Sequence, residues 1–166
     1  WAPMPAMAVA RSGAAGASAF DPATPGKFYF YALLGLNQAN QAQTSYEYLP
    51  VTILPNGHQS AAGSWTTGAQ TSTTGRWQLN AWVADSNVSP TIPSPDTYVY
   101  LGGGLLANNT PTGAVDAGRV QPGGDLGAIS ATPKDFTSTL AGYGVCAANG
   151  QLFAFGGAGG APSGGA

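Results

Sequence analysis

Apolar residues along this chain recur in short bursts, not at helical spacing. Aromatic and β-branched runs bounded by Gly, Pro and Asn predict strands at residues 14–20, 27–34, 45–54, 76–83, 97–101, 114–120, 142–147 and 151–155. The one Ala-rich stretch, residues 4–19, is interrupted by Pro5, Gly13 and Gly16, which disfavour a helix. Period-2 alternation in Arg76-Trp77-Gln78-Leu79-Asn80-Ala81-Trp82 puts Trp77, Leu79 and Ala81 on one face and Trp82 on the other. The fold class expected from this pattern is all-β, as a sandwich, barrel, propeller or other β-repeat.

Internal repetition narrows the choice. Three strands run into glycine: Lys27-Phe28-Tyr29-Phe30-Tyr31-Ala32-Leu33-Leu34-Gly35, Thr97-Tyr98-Val99-Tyr100-Leu101-Gly102-Gly103-Gly104 and Gln151-Leu152-Phe153-Ala154-Phe155-Gly156-Gly157. Small-residue strands precede the first and third, at Arg11-Ser12-Gly13-Ala14-Ala15 and Ala141-Gly142-Tyr143-Gly144-Val145. Turns at Pro55-Asn56-Gly57 and Pro122-Gly123-Gly124 follow the first two, and each leads to a bulky residue, Trp65 and Ile129. Trp1, Trp65 and Ile129 are evenly spaced, which divides the chain into repeats at 1–64, 65–128 and a partial 129–157, with a Gly-rich flexible tail at 158–166.

The order of a bulky residue, an Arg-Ser-Gly segment, a strand, a diglycine, a further strand and a turn resembles the Kelch repeat of β-propellers. The stretch from Trp1 to Arg11-Ser12-Gly13 carries the likeness best. The first unit departs from it with a single Gly35 where the others have Gly102-Gly103 and Gly156-Gly157. The repeats also exceed the usual Kelch length of about 50 residues. The resemblance implies propeller blades, with Trp1 and Trp65 filling the space between them. A ring needs roughly four to eight blades, so copies of the chain or further chain would have to close it. Kelch-like propellers also occur in copper radical oxidases, whose Tyr and His ligand set one histidine cannot supply.

Composition then removes partner classes. Charged residues make up 7% of the chain and the net charge is −2. Five scattered basic residues (Arg11, Lys27, Arg76, Arg119, Lys134) make no phosphate-tracking patch, so nucleic acid is not an expected partner. The longest apolar run, residues 28–36, is too short to span a bilayer. Low charge with many Thr, Asn and Gly residues leans towards an extracellular or particle surface. The sequons at Asn87 and Asn108 are candidate glycosylation sites, each followed by a Pro that disfavours use. The opening Trp1 points to processing or to membership of a longer chain.

Catalytic constellations are sparse. His58, the single histidine, falls in a turn, and Cys146, the single thiol, is expected as a small buried residue of an apolar strand. Asp21, Glu47, Asp85, Asp96, Asp116, Asp125 and Asp135 stand mostly beside turn-forming residues, where carboxylates bond nearby amides. No catalytic residue, metal site or cofactor is therefore expected. The expected role is a structural or adhesive module that binds a protein partner or further copies of itself. Carbohydrate binding through Trp77, Trp82, Tyr98 or Tyr100 is the alternative, and a piece of a larger propeller enzyme is a third.

Overall fold

Strands form where these alternating runs lie between turn residues. In the computed structural model, which describes residues 5–54, 59–61, 63–85, 96–132, 134–148 and 151–159, the protein is all-β. β1 (Ala15–Phe20), β2 (Lys27–Leu33) and β3 (Tyr46–Ile53) form an antiparallel meander, and β4 (Gln59–Ala61) and β5 (Thr66–Thr67) both pair with β3. A second antiparallel meander runs through β6 (Asn80–Asp85), β7 (Thr97–Gly102), β8 (Val115–Arg119) and β9 (Ser130–Ala131). A hairpin of β10 (Gly144–Ala148) and β11 (Gln151–Phe155) follows. Since β5 pairs with β3, the first sheet takes its last strand from beyond residue 64.

Equivalent strands recur: β1, β6 and β10 begin at residues 15, 80 and 144, and β5 and β9 at 66 and 130. Each first strand is entered through a left-handed residue, Gly13 (φ 58°), Gln78 (φ 51°) or Gly142 (φ 62°). These residues bond to one another. Gln78 N–H donates to Gly13 O (2.7 Å), and Gly142 N–H donates to Gln78 O (2.8 Å). Further along, Gly35 N–H donates to Arg76 O (2.9 Å) and Gly104 N–H to Leu140 O (2.6 Å). Successive units are thus joined backbone to backbone at matching positions.

The repeat register differs by one residue from the sequence expectation. Left-handed pairs occur at Leu34–Gly35, Gly103–Gly104 and Gly156–Gly157, so Leu34 (φ 58°) stands where the other units have glycine. Close approach explains the second glycine of each pair. A Cβ on Gly104 would fall 2.8 Å from both Leu79 Cβ and Trp77 O. Gly102 instead belongs to β7, packed against Trp82 and Phe136. The strand expected at 76–83 is also shifted, because the left-handed Gln78 breaks its alternation and β6 begins only at Asn80.

Buried ion pairs hold each meander to the segment that enters it. Arg11 meets Glu47 at 3.3 Å and also donates to Leu34 O and Ser45 O, both at 2.9 Å. Arg76 meets Asp116 at 2.6 Å and donates to Gly103 O (3.3 Å) and Ala114 O (2.6 Å). The two networks match residue for residue. The core lies between the two sheets, where Tyr29, Tyr31, Leu33 and Tyr46 meet Ala81, Val99, Leu101 and Val120.

Removing one partner of such a pair strands a buried charge. Asp116→Ala is expected to cost about 3–5 kcal/mol in urea unfolding, whereas the exposed Lys134→Ala changes stability by less than about 0.5 kcal/mol. Equal stabilities for the two variants would show that the Arg76 network does not hold the second sheet.

Candidate binding surfaces

Cross-strand partners share a face of a sheet, so register assigns the surfaces. Ala17, Tyr31 and Tyr48 lie in one row of the first sheet, and Ala19 and Tyr29 lie beside them. This face is covered by the second unit. Tyr31 donates its hydroxyl to Gly124 O (2.8 Å), and Tyr46 donates to the Asp125 carboxylate while accepting Leu126 N–H (2.8 Å). Gly124 has φ 91°, and a Cβ on it would fall 2.4 Å from the Tyr29 ring, so only glycine brings this turn onto the tyrosines. Tyr29 in turn donates to Asp21 (2.8 Å).

Burial holds the Tyr31 and Tyr46 hydroxyls neutral far above the usual tyrosine range, and the Asp125 carboxylate acts on both in the same direction. Burial also pushes Tyr143 up to about 12, where its hydroxyl donates to Gly102 O (2.7 Å).

The corresponding row of the second sheet is Trp82, Tyr100 and Ala117, with Tyr98 beside it. The β10–β11 hairpin lies over the β6 side of this face. The β7–β8 side remains as an open groove of about 900 Å³. Trp82 and Tyr100 stack with centroids 5.4 Å apart and planes 5° apart, Tyr98 lies 6.2 Å from Tyr100, and Phe136 lies 5.9 Å from Trp82. Arg119, Lys134 and Asp135 add charge to the lining. Asp135 is already engaged, accepting Val115 N–H at 3.0 Å.

Two outer faces remain at opposite ends of the stack. On the first sheet Phe20, Phe28 and Phe30 form an edge-to-face series with centroids 6.1 and 5.3 Å apart, and Ile53 lies beside them. On the hairpin, Cys146 and Phe153 are cross-strand partners and Phe155 shares their face. Among the described residues, the exposed large hydrophobic side chains are Phe20 (65%), Ile53 (42%), Leu54 (39%), Phe153 (42%) and Phe155 (57%). They gather on or beside these two ends.

The candidates from the sequence separate accordingly. Trp82, Tyr98 and Tyr100 converge in the groove, while Trp77 packs against Gly13 instead. Cys146 is exposed rather than buried, because it lies beside Phe153 on the outer face of the hairpin. Asp21 and Asp125 bond nearby amides as turn carboxylates do, accepting from Ala23 and Leu126. Glu47 and Asp116 depart from that expectation, being buried strand residues bound to arginines. Asp96 meets Arg119 at 2.5 Å, and Asp85 ends β6. Asn108 is exposed and its Oδ1 accepts Thr110 N–H (3.1 Å). Trp1, His58 and Asn87 lie outside the described residues. Among the described residues, no three His, Cys, Asp or Glu side chains converge as a metal site would require, and no helix is long and apolar enough to cross a membrane.

No protein-family model matches the chain, and no curated protein matches it. The fold and surfaces define an all-β protein of successive antiparallel sheets, joined through a tyrosine-lined internal interface.

The buried tyrosines set the alkaline limit of the fold. The unfolded chain ionises tyrosine near ~10, and the folded-state values of Tyr31, Tyr46 and Tyr143 are raised. The stability these neutral hydroxyls contribute is complete below about pH 10 and is lost as pH rises above it through the folded values. In an alkaline titration followed by tyrosinate absorbance, part of the signal from the seven tyrosines is expected only with the cooperative loss of β-sheet circular dichroism. All seven ionising near ~10 with the sheets intact would contradict the burial.

Proposed function

We propose that the chain is a non-catalytic structural or adhesive module of the β-propeller kind, similar to Kelch repeats, working through protein contacts or self-assembly at an extracellular or particle surface. The observation that carries this reading is the exposure of Phe20 on the outer face of the first sheet and of Phe153 and Phe155 on the outer face of the hairpin, at opposite ends of a stack whose inner faces are buried. Matched backbone bonds from Gly13 to Gln78 to Gly142 support the propeller element, since they bring the first strands of successive units side by side. The tethering of Glu47 and Asp116 to arginines supports a non-catalytic role by removing two carboxylates from available chemistry. A surface poor in charge suits a protein-facing module outside the cell. Native mass measurement is expected to give assemblies of several 16.6 kDa chains, or a complex with a larger partner protein. A single free chain at every concentration, with no protein bound on native isolation, would refute the reading.

The convergence of Trp82, Tyr98 and Tyr100 in one groove favours a second reading, carbohydrate binding by stacking on sugar rings. Under the first reading, a glycan panel leaves tryptophan fluorescence unchanged. Saturable quenching that disappears in Tyr98→Ala would transfer the assignment to the second.

A further inference from the structure

Resting on the self-assembly reading, we infer that the chain docks head to tail on a second copy of itself. The outer face of the β10–β11 hairpin (Cys146, Phe153, Phe155) seats on the outer face of the first sheet (Phe20, Phe28, Phe30, Ile53).

The molecule already contains the interface that this contact repeats. Register places Cys146 and Phe153 as cross-strand partners where the first sheet has Ala17 and Tyr31 and the second has Trp82 and Tyr100. Phe155 opposite Gly144 takes the place of Leu33 opposite Ala15. In the first sheet these positions are covered by the second unit, and Tyr31 and Leu33 are 2% and 0% exposed. On the hairpin the same positions are open, with Phe153 and Phe155 at 42% and 57%.

The receiving face follows the same logic. Val99, facing Val83 across β6 and β7, occupies the place of Phe30, facing Ser18 across β1 and β2. Val99 and Leu101 are fully buried against the first sheet, whereas Phe20 on the corresponding outer face is 65% exposed. The described part of the segment entering the first unit takes a position on this face that the internal interface also contains. Its Ala8 and Val9 amides bond Glu47, just as the segment entering the second unit bonds Asp116 through Ser72 within the internal interface. One end therefore offers what the other end accepts. Two unlike faces on one chain make a heterologous contact, which propagates until a ring closes or continues as a filament.

The test is sedimentation of the full chain across a concentration range. The wild type associates. Phe20→Ser and the double variant Phe153→Ser/Phe155→Ser each associate at least about tenfold more weakly and sediment at 16.6 kDa. An equimolar mixture of the two restores a two-chain species and nothing larger, because each variant keeps the face the other lacks. Alkylation of Cys146 is slower in the assembled wild type than in the double variant. Circular dichroism matching the wild type shows that the sheets persist. If Phe20→Ser loses them, Ile53→Ser tests the same face from β3.

Oligomers that survive in either variant would overturn the choice of faces while leaving self-assembly in place. Variants that stay monomeric when mixed would overturn the head-to-tail arrangement. A wild type that is monomeric throughout would overturn both the contact and the self-assembly reading on which it rests.

Discussion

A guanidinium buried at the mouth of each full meander organises the structure around it. Arg11 and Arg76 are charges in a chain that has few, and their side chains are fully removed from solvent. Such a charge is tolerable only with a carboxylate and several acceptors. The acceptors are the carbonyls at the end of the second strand and the start of the third, and the carboxylate lies on the third strand itself. One side chain therefore dictates how three segments meet. The hairpin unit has β10 and β11 without a third strand among the described residues, and Leu140 stands in the arginine's place, just ahead of the bridge residue Ala141 that matches Ser12 and Trp77.

Stacking of units follows from this local geometry. The left-handed residues that turn the chain around each arginine also carry the backbone bonds to the neighbouring unit. Sheets are consequently presented face to face, and the interior is filled by tyrosines on one side and aliphatic residues on the other. Tyrosine suits this place because its ring supplies apolar area while its hydroxyl satisfies a turn carbonyl or carboxylate. Repetition of one packing mode gives every unit two unlike faces, and exposed phenylalanines stand on the outer face of the first sheet and on that of the hairpin.

Much of the fold was legible in the residues. The strands at residues 27–34, 97–101 and 151–155 stand within a residue of β2, β7 and β11, because aromatic runs ending in glycine are unambiguous signals. The short strands β4, β5 and β9 were not legible, since two or three residues carry no period and are ordered only by pairing with a neighbour. Trp82, Tyr98 and Tyr100 were recognisable as aromatics on strands, but their meeting in one groove depends on register across β6 and β7. The arginine networks were not legible, although a signal existed: Glu47 lies between Tyr46 and Tyr48, and Asp116 between Val115 and Ala117, and a charge set between apolar strand residues requires a partner when buried.

The sequence by itself determined the all-β class, the positions of the long strands and the recurrence of one unit. These rest on local alternation and turn chemistry, which act over a few residues. Only the tertiary structure decided the rest. It paired Arg11 with Glu47 and Arg76 with Asp116, shifted the diglycine register onto Leu34–Gly35, buried the tyrosines and exposed Cys146 with its phenylalanine neighbours. Each of those outcomes depends on which sheet covers which face. Residues far apart in the chain settle that question together, so no local pattern encodes it.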